Sequence, residues 1–317
     1  AMLQKLSLEN ILFLDIETVP QKASFEELDD EFKALWEQKS KYQRKEENTA
    51  EEFYDRAGIW AEFGKIICIS VGYFKNDGDR SFRVTTFHGS EIKLLKEFKN
   101  LVITHFSASR HLLCAHNGKE FDFPYIARRM IINSIELPYK LDLFGKKPWE
   151  VSHLDTMDLW KFGDYKNFTS LKLMAKVLGI PSPKGDIDGS MVRDVYYEEN
   201  DLERIVEYCE KDTIAVAQVL LRLRNEELLK EEEIRKLGKE LSAKVQQYLN
   251  LEEKLQSQQS DLSALQERSR LEFENLASRL LDEKSQKFTL HNQQQLSQIL
   301  LPFREKIREF EEDIEKK

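Results

Sequence analysis

"ILFLDIETVP", residues 11–20, decides how this chain is read. Four apolar residues lead straight into Asp15 and Glu17. A short, β-branched and aromatic apolar run bounded by Pro20 predicts a buried strand over 11–16. Residues two apart on a strand point to the same side, so both acids stand on one face at its C-terminal end. Like charges held that close repel unless something positive sits between them, and the question is what that would be.

Composition narrows the answer. The chain has 317 residues, 41% hydrophobic and 33% charged, which suits a globular fold with a large helical share. Its net charge is −9, so no overall basic character advertises nucleic acid, and an anionic substrate would have to be met by metal ions or a local basic patch. Cys68, Cys114 and Cys209 lie in or beside apolar runs without metal-ligand spacing and read as buried free thiols of a reducing compartment. With neither a secretion signal nor a membrane-length apolar run, a cytoplasmic location without membrane contact is expected.

Turn punctuation stops near residue 238. Every glycine lies at or before Gly238, and every proline except Pro302 lies before Gly185. A domain over 1–238 and a helical arm over 239–317 follow. In the first, periodicity predicts strands at 11–16, 66–74, 82–88, 112–116 and 151–155, and helices at 91–105, 122–133, 169–178 and 200–236, hence an α/β mixed sheet flanked by helices. Residues 21–63 form a polar, charged insertion predicted to be helical, either a solvated excursion or the border of a groove beside Asp15 and Glu17.

Two more acidic positions answer the opening question. "CAHNGKEFDFPYIARR" places Asp122 at the start of a helix after the strand ending near His116. "YCEKDTIAVAQVL" puts Tyr208 and Asp212 four residues apart, on one helical face. Singly, an Asp at a helix start is usually a cap, and a Tyr four residues from an Asp is usually packing. Their order is more informative: D-x-E at a strand end, then N-x-x-x-F-D, then Y-x-x-x-D.

These motifs resemble the DEDD superfamily of 3′–5′ exonucleases, and within it the exonuclease domain of family B DNA polymerases and its stand-alone bacterial relatives. The likeness covers roughly residues 8–225. It implies an RNase H-like fold and makes Asp15, Glu17, Asp122 and Asp212 the metal-ligating carboxylates. Tyr208 stands in the third motif of the tyrosine subclass; the histidine subclass would need His where this chain has Glu207. The resemblance implies Mg²⁺ or Mn²⁺ as cofactor, in a pair about 3.5–4 Å apart that stabilises both ends of an in-line displacement. Asp15 would bridge the ions, Glu17 and Asp212 would complete the site on the nucleophile side, and Asp122 would hold the other. Tyr208, whose ordinary pKa is near 10, is a poor base and would orient the attacking water. Asn117 and Phe121 would line the pocket of the 3′-terminal nucleotide, with Phe121 available for stacking.

The expected activity is 3′–5′ exonucleolysis of single-stranded DNA. The alternatives are an RNA exonuclease, since the same carboxylates serve both sugars, and an inert nucleic-acid-binding scaffold acting through the arm. Asp155 in "HLDTMDLW" is expected to be a strand-end turn residue, and "GDIDGS" at 185–190 a turn rather than a calcium loop. Lys119, Arg128, Arg129, Lys146, Lys147 and Lys184 are available to phosphates without any sequence reason to single one out.

The arm repeats Leu241, Tyr248, Leu255 and Leu262 every seven residues, and Leu296, Leu300, Phe303, Ile307, Phe310 and Ile314 at alternating spacings of four and three. This is a coiled-coil seam, expected to self-associate or meet a protein partner, with a hairpin folding back near 285–295 as the alternative. Pro302 should kink or interrupt it. Residues 273–317 also resemble the coiled-coil region of the RmuC DNA recombination family, which implies a DNA-maintenance setting; that family's nuclease domain normally follows its coiled coil.

Overall fold

The computed structural model describes residues 3–45, 47–76, 80–164, 166, 168–181, 187–236 and 238–315. The chain divides into two units, Ala1–Leu249 and Asn250–Lys317.

The first unit is built on six strands: β1 (Ile11–Pro20), β2 (Gly64–Asn76), β3 (Arg80–His88), β4 (Leu112–Ala115), β5 (Leu154–Asp155) and β6 (Ile234–Lys236). They lie in the order β5-β4-β1-β2-β3-β6. β1, β2 and β3 are mutually antiparallel neighbours, β4 runs parallel to β1 and β5 to β4, and β6 joins β3 in parallel. Antiparallel hairpins on one side and parallel crossovers on the other make an RNase H-like sheet with one added strand.

β1 lies in the middle with both faces covered, which is why its first half is continuously apolar. Leu12, Leu14 and Ile16 pack into a core with Leu94, Leu95 and Phe98 of α2 (Glu91–His105) and Phe123, Ile126 and Met130 of α3 (Asp122–Ile132). Ile11 and Phe13 face the other way, onto Val216, Ala217, Leu220 and Leu221 of α7 (Leu202–Leu223). Between these helices the chain forms α4 (Thr156–Lys161), α5 (Leu171–Val177) and α6 (Val192–Tyr197). The short α4 and α6 fall where periodicity over so few residues carries no signal.

Two expectations are corrected here. The helix predicted over 200–236 stops at Leu223. Asn225 takes a left-handed conformation (φ 58°), and the Gln218 side chain clamps Leu229 in both directions, donating to its carbonyl (3.1 Å) and accepting from its N–H (2.8 Å). The "EELLKEEE" stretch has strong helical propensity, but the open edge of β3 offers Ile234–Lys236 a ladder that propensity does not see.

The insertion at 21–63 is not a solvated excursion. Only α1 (Asp30–Ser40) is α-helical, and Trp36 on it is fully buried. Phe53, Tyr54, Trp60 and Phe63 surround Trp36 at centroid separations of 5.2–6.1 Å, and its indole N–H donates to the Ala50 carbonyl (2.7 Å). This aromatic satellite core is pinned near the end of β1. Gly58 packs so closely that a Cβ there would stand 2.9 Å from the Val19 carbonyl carbon, and its own carbonyl accepts from the Tyr125 hydroxyl (2.7 Å).

Asp188 accepts from the N–H and hydroxyl of Ser190 (2.9 and 2.6 Å), the turn expected at 185–190, of which 185 and 186 lie outside the described residues. The three cysteines are buried and free. Among the described residues no helix is long and apolar enough to cross a membrane.

The helix α8 runs from Gly238 to Glu315 and so supplies the whole second unit. It continues through Pro302, contrary to the interruption expected there, and residues 285–295 are helical, so no hairpin forms. Proline removes one backbone bond, to the carbonyl of Gln298; on an exposed helix that carbonyl stays available to water. Leu255, Leu262, Leu296, Leu300, Phe303 and Ile307 are each more than half exposed. The side chains of Leu241, Tyr248, Phe310 and Ile314 lie outside the described residues.

Candidate active site

Asp15 and Glu17 extend the row begun by Ile11 and Phe13, so they stand on the face of β1 that α7 covers. Their cross-strand partners are Ser70 and Cys68, and a β-bulge between Glu17 and Thr18 ends the regular pairing. Bulges commonly re-aim side chains beside active sites.

Asp122 arrives from the other side of β1. After β4 the chain turns through His116–Phe121, where Asn117 takes a left-handed conformation (φ 63°) and accepts from the Phe121 N–H (3.0 Å). Asp122 then opens α3, 3% exposed, and its carboxylate accepts a backbone hydrogen bond from Ile16, the residue between Asp15 and Glu17. Asp155 holds this turn: its carboxylate accepts from the N–H groups of Asn117 (2.9 Å), Lys119 (3.1 Å) and Met157 (3.0 Å), so it braces the turn and caps α4. The strand-end reading of Asp155 therefore stands, and the brace is what its spacing alone did not reveal.

The third element is α7. Tyr208 and Asp212 share a face of it, as their spacing predicts, and the Tyr208 hydroxyl is hydrogen-bonded to the Asp212 carboxylate. Between them Cys209 turns inward, its Sγ 3.4 Å from both the Asp15 carbonyl and Asp15 Oδ2. Ligand atoms of Asp15, Glu17 and Cys209 lie within 4.8 Å of one another. Sequence reading found Cys209 buried but not at the site, because a buried thiol in an apolar helix face looks the same wherever the face points.

The electrostatics are those of a buried acid cluster. Burial, then Glu17, Asp212 and Asp122, hold the Asp15 carboxyl well above the usual range. Glu17 is raised by burial and then by Asp212 and Asp122. Burial and the Asp155 charge push Asp122 up to about 7. Burial raises Asp212 to about 6 against the hydrogen bond from Tyr208. Tyr208 is itself raised, by burial and by the charges of Asp212, Glu17 and Asp15, so it stays protonated as a donor. Among the described residues none of the four carboxylates forms an ion pair with Lys, Arg or His. Converging oxygen donors of this kind fit a hard divalent cation.

Phe121 packs at a tilt on Tyr125 (5.3 Å between centroids), and among the described residues the buried Asn117 side-chain oxygen has no hydrogen-bond partner. A cavity of about 770 Å³ opens beside Tyr208 and Asp212, lined also by Lys172, Lys211 and Lys230 and by apolar Ala175, Ile187 and Leu229. Of the basic residues open to phosphate, Arg129 is instead buried in a bidentate pair with Glu91, and Lys119 is 3.4 Å from Asp158. Lys184 lies outside the described residues.

A search of solved structures finds similarity to the family B DNA polymerase from the hyperthermophilic archaeon Pyrobaculum calidifontis, with a TM-score of 0.40 and 16% identity over 67% of this chain. The match spans 24% of that polymerase chain. Among curated proteins nothing matches. A family model matches residues 59–265, a span that contains Asp122, Tyr208 and Asp212 and begins after β1. The chain therefore belongs to a family of predicted 3′–5′ exonucleases related to the exonuclease domain of PolB.

Proposed function

We propose that this protein is a divalent-metal-dependent 3′–5′ exonuclease of the tyrosine subclass of DEDD nucleases, acting on single-stranded DNA. The observation that carries the reading is the convergence of Asp15, Glu17, Asp122 and Asp212 from three elements without a basic partner among the described residues. Asp15, Glu17, Asp122 and Asp212 would hold Mg²⁺ or Mn²⁺. When bound, such ions supply stabilisation of the charge that builds on the phosphoryl, attacking and leaving oxygens.

The chain's own residues do the rest. Tyr208, protonated and donating its one O–H to Asp212, accepts a hydrogen bond from the attacking water and so orients it. Water oxygen joins phosphorus, the P–O3′ bond breaks, and the 3′ oxygen leaves with a proton, releasing a nucleoside 5′-monophosphate. Asn117, whose side-chain oxygen lacks a partner among the described residues, and Phe121 line the place of the terminal nucleotide. The cavity beside Tyr208 has room for a nucleotide-sized group.

In this reading the nuclease domain ends near residue 238, and 239–317 is an arm that self-associates. Six apolar side chains at coiled-coil spacing, each more than half exposed, support self-association. The likeness of 273–317 to RmuC coiled coils fits a role in DNA maintenance. End-labelled DNA and RNA single strands incubated with Mn²⁺ test the activity. Stepwise shortening of DNA from its 3′ end is expected, and is lost on chelation; faster loss of RNA would reassign the substrate, and no shortening of either would refute the reading.

A further inference from the structure

Two rings flank the turn that carries Asn117 and Asp122, and the site described above uses neither. Phe162 is 85% exposed and Phe168 is 68% exposed. A lone exposed ring needs no explanation, but the placement of these two does. His116, the residue before Asn117, reaches both flanking segments. Its Nδ1 is 2.9 Å from the Thr156 hydroxyl at the start of α4, and its Nε2 is 2.8 Å from the carbonyl of Thr169, next to Phe168. β4 and β5 run parallel to β1, so the segment after β5 emerges at the same sheet edge as Asp122.

Phe162 ends α4 in a left-handed conformation (φ 44°), a position that ordinarily falls to glycine, although Gly163 is its neighbour. The ring is held outward, edge-on to Trp160 at 6.4 Å. Lys119 and Lys161 both reach the carboxylate of Asp158, at 3.4 and 3.1 Å, and Glu120 and Asp155 act on Lys161 as well, so these ammonium groups are already neutralised and the rings are what this surface offers. Flat, exposed apolar rings beside the turn that carries Asp122 are what successive bases of an unpaired strand stack on.

We infer that Phe162 and Phe168 form a stacking strip for single-stranded DNA upstream of the terminal nucleotide. The inference rests on the exonuclease reading for the direction of the strand, and on geometry for the surface. It explains how an acidic chain grips a polyanion: stacking supplies attraction that needs no overall basic charge.

The test uses the full chain and its Phe162→Ala, Phe168→Ala and Phe162→Trp variants. Fluorescence anisotropy of a labelled thymidylate dodecamer, with Ca²⁺ present to block turnover, is expected to show roughly tenfold weaker binding for each ring removed and near-parental binding for Phe162→Trp. A thymidylate trimer, too short to reach the strip, should bind all forms alike, and hydrolysis of the p-nitrophenyl ester of thymidine 5′-monophosphate should be unchanged. Dodecamer affinity unaltered by both alanine variants would overturn the strip even if the ester is hydrolysed. Equal losses for trimer and dodecamer would overturn its upstream position. Weakened dodecamer binding by a chain inert toward the ester would keep the strip and refute the nuclease reading.

Discussion

Two places in the first unit gather charge away from water, and they treat it in opposite ways. Glu91 and Arg129 meet in a fork, with Nε to Oε1 at 2.8 Å and Nη2 to Oε2 at 2.6 Å. The spare capacity is used as well: Glu91 accepts from the Ile66 N–H (2.8 Å) and Asn133 (3.1 Å), and Arg129 donates to the Ala61 carbonyl (2.8 Å). On the other face of the sheet, four carboxylates converge and, among the described residues, none has a basic partner. One fold thus neutralises a buried charge completely in one place and leaves four together in another. The contrast teaches that the acid cluster costs stability where the ion pair does not, which suits the metal-binding role proposed for it.

The largest effect that could break this contrast is on rate. Asp15→Asn and Asp212→Asn are expected to lower exonuclease turnover at least a thousandfold, about 4 kcal/mol of transition-state stabilisation, with far-UV circular dichroism unchanged. Turnover within tenfold of the parent would remove these residues from the site.

Next comes the paired side. Arg129→Ala leaves the largely enclosed Glu91 carboxylate without its cation, held only by the Ile66 N–H and Asn133, and should destabilise the fold by about 3 kcal/mol, read from urea unfolding of the first unit. A loss below about 1 kcal/mol would show that the pair is no more than a surface bridge.

A smaller effect follows from titration. Asp122 at about 7 and Asp212 at about 6 both lie above the ordinary 3.8. Carboxyl groups with raised folded-state pKa values favour the fold while protonated, and that contribution is lost as pH climbs from about 4 through 6 and 7. His153, buried and lowered to about 4 from 6.5, works in the other sense, its contribution disappearing as pH falls through that window. The clean readout is therefore a difference. In chelator, Asp122→Asn should gain on the parent by of the order of 2 kcal/mol in melting experiments between pH 5 and pH 8, and Mn²⁺ should erase the gain by stabilising the parent alone. A constant difference across that range would mean that the fold does not raise the Asp122 carboxyl.

The smallest effect concerns the second unit. Removing residues 250–317 should change the unfolding free energy of the first unit, read from urea titration, by less than about 0.5 kcal/mol, and light scattering should show the intact chain larger than a monomer and the shortened one monomeric. A monomeric intact chain would leave the apolar seam of α8 without the partner proposed for it.

Much of this was legible in the residues because strand and helix periods are local. The alternation around Asp15 and Glu17 puts them on one face whatever covers it, and the four-residue step from Tyr208 to Asp212 puts them on one face of any helix. Strands β1 to β4 were readable for the same reason, since each is a continuous apolar or alternating run. The aromatic core around Trp36 was not, because its rings are spaced irregularly among charges and meet only once the chain has folded over them. The edge strand Ile234–Lys236 was hidden inside a stretch of helix formers, and Arg129 looked like a free cation until Glu91 was found beside it.

By itself, then, the sequence determined which residues share a face, because side-chain direction follows from backbone period. Tertiary structure alone decided what those faces meet: that Cys209 turns toward Asp15, that Asp155 braces the Asn117 turn, that Arg129 is already engaged, and that α8 passes through Pro302. Each of these depends on contacts between residues far apart in the chain, or on where solvent can reach a freed backbone carbonyl, and neither is written in a local pattern.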